Sequence, residues 1–189
     1  MPFELPSFVL NRFTLRIFNT LLYLVQRKRK VGITDPDRFF YPLDRIRQWN
    51  LMYGRRGVTQ HQCVLPKENA ERGIHALFDA MRKGGAASFL TVIKDCGPEG
   101  EGVLSFPTYG VSVALDIPIR DNVQEVVDRL NEQVLAHGGR IYLTKDGFTR
   151  AEDFARMDPR VHRFLELCER WDPEHTLRSA QSERLFSAL

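Results

Sequence analysis

Between Tyr109 and Ile119 the chain alternates without a break. Val111, Val113, Leu115, Ile117 and Ile119 fall on one side, and Gly110, Ser112, Ala114 and Asp116 on the other. Successive side chains of a strand point to opposite faces, so this run predicts a strand with one apolar face and one face of small or polar groups. Such a strand needs neighbours to pair with and a layer to cover its apolar side. Residues 57–66 supply a second strand, rich in β-branched residues and bounded by Arg55-Arg56-Gly57 and by Pro66. Gln60 and Gln62 project together from one of its faces, His61 and Cys63 from the other. A buried glutamine side chain is costly unless hydrogen-bonded. Two on one face therefore predict a polar, ligand-facing surface, or else a half-exposed strand whose amides meet water.

The elements between and after these strands follow a regular rhythm. Residues 67–83 place Ile74, Leu77, Phe78 and Met81 at the spacing of one helix face, and Gly84-Gly85 stops the helix. Residues 87–94 read as a strand ending on Lys94, and 95–102 as a glycine-rich turn too acidic to cradle a phosphate. Residues 103–107 and 109–119 are strand-like. Asp121 then caps a helix with Gln124 at the capping-box position and Val123, Val126, Val127, Leu130 and Val134 as its buried stripe. Gly138-Gly139 ends it, and residues 140–144 form a last strand. The order β-α-β-β-α-β is the split, ferredoxin-like arrangement, an α+β fold with both helices on one face of an antiparallel sheet. The other face, carrying Gln60, Gln62, Ser112, Ala114 and Lys94, is left open to a ligand or to a second domain.

That unit is expected over residues 57–148, preceded by a helix and aromatic lead-in over 1–56 and followed by a helical tail over 149–189. Pro6-Ser7 starts the first helix, over 7–29, with Ser7 as N-cap. Its apolar positions are interrupted too often by Asn11, Arg12, Arg16 and Asn19 for a bilayer-spanning segment. The run Arg27-Lys28-Arg29-Lys30 suits a helix C-terminus and equally an anionic membrane surface, so residues 8–30 predict either a docked domain or peripheral membrane contact. Asp44 is placed to cap a short helix over 45–52. In the tail, residues 151–157 and a segment opening at Asp158-Pro159 are helical, and Trp171-Asp172-Pro173 breaks the second.

With 27 basic and 24 acidic residues the net charge is +3, without the concentrated basic patch that binding to nucleic acid requires. Cys63, Cys96 and Cys168 are odd in number and lack metal-ligand spacing, which predicts no disulfide framework, no metal site and a reducing, cytoplasmic setting. No two of the five histidines are spaced as ligands on one helix face. Gly-x-Ser-x-Gly, Gly-x-Gly-x-x-Gly and Walker-type loops are all absent. Lys145, at the end of the last predicted strand, can hold a substrate hydroxyl or phosphate, or serve as a base where burial favours the free amine. It is equally a solvated strand end. Read alone, the residues describe a sheet with a polar face and no self-contained catalytic machine.

Several ordered motifs add a resemblance. Phe40-Tyr41-Pro42-Leu43-Asp44, Trp49-Asn50, Tyr53-Gly54-Arg55-Arg56-Gly57, the run from Gln60 to Pro66, Leu104-Ser105-Phe106-Pro107, Asp116-Ile117-Pro118-Ile119, Leu143-Thr144-Lys145-Asp146 and Asp172-Pro173 are similar to the C-terminal, substrate-binding half of FAD-linked oxidases of the vanillyl-alcohol-oxidase-like family. The resemblance implies hydride transfer from a sugar or sugar-alcohol carbon to FAD, giving a ketone. The flavin would be bound mainly by a domain or subunit whose glycine-rich stretch these residues do not contain. It implies that Gln60 and Gln62 line the flavin–substrate cleft, that Lys94 and Ser112 contact substrate, and that Lys145, beside flavin and substrate, is the residue that matters most. Ser112, Ala114 and Cys96 stand where the best-matching oxidases carry an asparagine, a cysteine and an aromatic residue, so the substrate, whether lipid-phosphate-linked or a plainer sugar, is not fixed by the resemblance. A non-catalytic ligand-binding module is the alternative that fits the same residues.

Overall fold

The computed structural model describes residues 11–27, 32–41 and 47–187. Along these the elements run α1 (Arg12–Gln26), α2 (Pro36–Phe40), a 3-10 turn (Trp49–Tyr53), β1 (Val58–Pro66), α3 (Ala70–Lys83), β2 (Thr91–Cys96), β3 (Gly110–Pro118), α4 (Val123–Ala136), β4 (Arg140–Ile141), a second 3-10 turn (Leu143–Lys145), α5 (Ala151–Met157), α6 (Val161–Trp171) and α7 (Ala180–Phe186). The strands form one antiparallel sheet in the order β2-β3-β1-β4. This is the order that two β-α-β crossovers produce when the later strand of one unit slots beside the first strand of the other.

β1 and β3 are the centre. They pair along their whole lengths, with Gln60 opposite Asp116, Gln62 opposite Ala114 and Val64 opposite Ser112. Gly110 has no side chain because a Cβ there would fall on the carbonyl of Leu65. The opposite face holds the core: Cys63, Leu65, Val113, Leu115 and Ile117 of the sheet meet Leu77 and Met81 of α3 and Val126, Leu130 and Val134 of α4. Each fully buried aliphatic side chain of this kind contributes about 1.5–3 kcal/mol of transfer free energy. Phe154, Met157, Val161 and Leu185 from the tail enter the same core. Phe186 packs its ring at 6.0 Å from Phe154 and 5.3 Å from Phe164.

The expected sheet, its one-sided helical layer and the flanking helices are all present. Local boundaries differ, each for a visible reason. The second strand starts at Thr91 and not at residue 87, because Ala87 and Phe89 pack instead on a small second core of Leu15, Met52 and Tyr53. Residues 103–107 form no strand: the carbonyls of Ser105, Phe106 and Pro107 accept from Arg160 and Arg140 instead of a ladder. The last strand is two residues long, after which the chain tightens into the turn at Leu143–Lys145. Asp121 does not cap α4; it pairs with Arg56, and Asn122 takes the N-cap position without a side-chain capping bond, its amide donating instead to Gly84 O at 2.9 Å. Gln124 donates to Asp128 and to the carbonyl of Phe148 instead of closing a capping box. Ser7 and Asp44, the expected caps of the two leading helices, lie outside the described residues. Asn11 caps α1, accepting from Phe13 and Thr14.

Candidate functional site

Alternation along the strands puts Val58, Gln60, Gln62 and Val64 of β1, Ser112, Ala114 and Asp116 of β3, Val92, Lys94 and Cys96 of β2 and Arg140 of β4 on the face away from the helices. This face is less open than the sequence suggested, because two structures close its ends. At one end the loop after β2 folds across. Arg140, beside Val64 in the register, donates from Nε to Phe106 O at 3.0 Å and from a terminal nitrogen to Pro107 O at 2.7 Å. The Phe106 ring lies 4.5 Å from that of Tyr142. Glu99, on the same loop, bridges Arg140 and Arg160. Val64 and Ser112 are buried beneath it. At the other end the 3-10 turn places Met52 and Tyr53 against Leu15 of α1, with Val58 packed on them.

Between these covers lies a window in which Gln60, Gln62, Ala114, Val92 and Tyr142 stay half-buried. Lys94 is exposed on the β2 side, next to Ser112 in the register. Lys145 is exposed in the turn on the β4 side, which continues along β1: Tyr142 N–H donates to Gln62 O at 2.7 Å, and Gly147 lies against Thr59. The structure thus puts Gln60 and Gln62 on one surface with Lys94 exposed along its β2 edge and Lys145 exposed in the turn after β4, whereas Ser112 lies beneath the loop and reaches the window through Gln62.

Under the window is a polar assembly that sequence reasoning missed. Asp116 is 1% exposed. Its Oδ1 accepts from the Gln60 amide at 2.6 Å, and its Oδ2 accepts from the Tyr53 hydroxyl at 2.8 Å. Burial, reinforced by the Asp116 carboxylate, pushes the Tyr53 phenol well above its ordinary pKa, so the hydroxyl keeps its proton and donates. The signal was present in the sequence: an aspartate on an otherwise apolar strand must find donors when buried. Gln62 is held similarly, its amide 3.0 Å from Ser112 Oγ.

On the helical face His61 is buried with Nε2 2.9 Å from Asn131 Oδ1, and Asn131 donates to Thr149 Oγ1 at 3.1 Å. Burial holds this imidazole below its usual pKa and pushes the neighbouring Cys63 thiol up to about 12. Both are core groups on the face opposite the window. Among the described residues no group of three His, Cys, Asp or Glu side chains is placed to hold a metal ion. Within the same residues no helix is long and apolar enough to cross a membrane.

No family model matches the chain. It is 35% identical over 185 residues to decaprenylphosphoryl-beta-D-ribose oxidase of Mycolicibacterium smegmatis, a match covering 98% of this chain and 40% of that protein. It is also 30% identical over 130 residues to an uncharacterized protein from the mprA 5' region of Streptomyces coelicolor, covering 68% of this chain and 35% of that one. The chain therefore spans well under half the length of either relative. Along almost its whole length the chain is a relative of a part of decaprenylphosphoryl-beta-D-ribose oxidase.

Proposed function

We propose that these residues form the substrate-binding part of an FAD-dependent oxidoreductase that oxidises a sugar or sugar-alcohol hydroxyl to a ketone. The flavin, bound mainly by residues outside these 189 on the same or another chain, would supply the two-electron acceptor for the hydride leaving the carbinol carbon. The observation that carries this reading is the 35% identity to an oxidase across 98% of the chain. The site's chemistry fits it. The window offers amide groups from Gln60 and Gln62 to a polyhydroxylated ligand, and cationic lysines at two rims to phosphate or to negative charge on a reduced flavin. A nucleophile–base pair of its own is not needed in a part whose work is to bind, orient and exclude water.

In this reading Gln60 and Gln62 orient the sugar ring. Lys94 meets an anionic group such as a linking phosphate, with Ser112 supporting Gln62. Lys145 sits closest to the reacting hydroxyl and the flavin. Replacing Lys145 by Ala in the protein assembled with its flavin-binding part should lower the rate of flavin reduction severely. Reduction kinetics equal to wild type would refute the assignment. Whether the chain holds flavin unaided is read from its visible absorption after addition of excess FAD and gel filtration.

A second partner is supported by α1. Ile17, Leu21, Leu24 and Val25 are 50–63% exposed on its outward side. Residues 5–34 carry six Arg and Lys side chains and no Asp or Glu. An apolar stripe bordered by cations suits an anionic lipid surface, which is also where a lipid-linked sugar resides. Co-sedimentation with anionic but not neutral vesicles, lost when Arg27 to Lys30 are neutralised, is the expected result; no sedimentation removes this partner.

A further inference from the structure

The two window glutamines are not anchored alike, and the difference decides what each offers a ligand. Gln62 rests on Ser112 Oγ, and a hydroxyl both donates and accepts, so either end of that amide can face it. Gln60 rests on Asp116, and a carboxylate oxygen only accepts. The NH2 end of Gln60 must therefore be the end that faces Asp116, 2.6 Å away. Its carbonyl oxygen Oε1 is then left on the window side, where it has no partner among the described residues. The second carboxylate oxygen of Asp116 is held by the Tyr53 hydroxyl at 2.8 Å, and its backbone N–H donates to Leu90 O at 3.2 Å and Ser88 Oγ at 3.0 Å. The carboxylate is thus held by Tyr53 on a backbone that is itself pinned to Leu90 and Ser88, and at 1% exposure it has little room to turn away and release the amide.

We infer that Asp116 is a positioning residue, which with Tyr53 locks the Gln60 amide so that its carbonyl oxygen points into the window and receives a hydrogen-bond donor, an N–H or O–H, from the bound molecule. This rests on the reading of the window as the flavin–substrate surface, and it narrows that reading. The Gln60 position selects a donor group, such as a sugar hydroxyl or an imide N–H, and disfavours a carbonyl, carboxylate or phosphate oxygen. Those acceptor groups are left to Lys94 and Lys145 at the rims. The division of labour is physical: unpaired acceptors facing each other in a half-buried site leave both desolvated without a bond.

The lock is tested first without any ligand. In the side-chain amide spectrum of the 15N-labelled chain, the Gln60 NH2 pair, assigned by its loss in Gln60→Met, should be shifted and slow to exchange. Tyr53→Phe should weaken this and Asp116→Asn should abolish it. A Gln60 pair at the ordinary free-amide position in the wild type overturns the lock, whatever the enzyme does. The ligand-side claim is tested in the protein assembled with its flavin-binding part. There Asp116→Asn, which lets the amide turn its NH2 outward, should lower kcat/KM for flavin reduction by about tenfold or more in protein that still folds and assembles. The double variant Gln60→Glu with Asp116→Asn again places an acceptor in the window and should recover part of the loss. A purely structural role predicts no such rescue, so absence of rescue in a folded double variant overturns the donor assignment. If the wild-type assembly reduces no flavin while the amide pair is shifted, the oxidoreductase reading fails and the lock stands.

Discussion

His61 makes the stability of this fold depend on pH in a calculable way. Asn131 donates its own NH2 to Thr149, so its Oδ1 faces the imidazole, and His61 Nε2 at 2.9 Å must carry the proton. The other nitrogen, Nδ1, is buried without a hydrogen-bond partner. Protonating the native ring would place a charge and a new N–H at a spot with nothing to receive it. Burial therefore lowers the native pKa, with the Asn131 bond and the more distant Asp146 opposing only in part. In the unfolded chain the same ring titrates near 6.5. Below that pH the unfolded state binds a proton that the native state refuses, so stability rises with pH through this window and is lost as pH falls. For one proton the slope approaches about 1.4 kcal/mol per pH unit, and integrating from pH 7.5 to 5.5 gives a loss of at most about 1.4 kcal/mol, reached when the native ring stays neutral throughout. The assay is urea denaturation followed by circular dichroism at both pH values, comparing wild type with His61→Gln, whose amide can still donate to Asn131. The wild type should lose more than the variant over that interval, by up to about 1.4 kcal/mol. Equal losses in both proteins would show that His61 protonates natively and would refute the reasoning.

Three further outcomes follow from the same packing. The Cys63 thiol, fully buried and pushed up to about 12, should resist a thiol reagent at pH 8 until the protein unfolds, while the half-buried Cys96 and Cys168 react in the native state. Leu130→Ala empties a fully buried position under the sheet and should cost about 2–5 kcal/mol in denaturant unfolding. Arg140→Met removes the side chain whose bonds hold Phe106 and Pro107, so limited proteolysis should cut the loop between β2 and β3 faster than in wild type, with little change in overall stability. A cleavage rate equal to wild type would mean that Arg160, through Ser105 and Glu99, and the Phe106–Tyr142 ring contact pin the loop without Arg140.

The sheet was legible where side-chain period and burial coincide. The alternation of Val111 to Ile117 and the matching one in β1 are direct records of a strand with one covered face, and the stripe from Val123 to Val134 records the helix that covers it. Legibility failed wherever long-range polar bonds outweighed local pattern. Val103 to Pro107 alternates acceptably, but guanidinium groups from Arg140 and Arg160, residues over thirty positions away, take its carbonyls. Asp121 and Gln124 form a valid capping pattern, yet Arg56 claims the one and Asp128 with Phe148 the other. A capping box contributes on the order of 1 kcal/mol, so a competing ion pair or a better-placed acceptor is enough to undo it.

The candidate site shows the same limit from the other side. That Gln60 and Gln62 share a face follows from their spacing alone, but what they can do depends on the partner across the strand. Register supplies that partner: Gln60 meets Asp116 directly, whereas Gln62 meets Ala114 and has to reach diagonally to Ser112. A one-residue slip would put Asp116 on the helical face, with a charge buried among Val126, Leu130 and Val134. The cost of that error, several kcal/mol for an unpaired buried carboxylate, helps hold β1 and β3 in register. The aspartate that orients the window residue therefore also penalises the misfolded pairing. Asp116→Asn should consequently relax two things at once, the amide orientation of Gln60 and the specificity of the strand register. Exchange of the β1 and β3 backbone amides with solvent separates them, because only a loss of register would make the amides of residues 111–115 exchange faster.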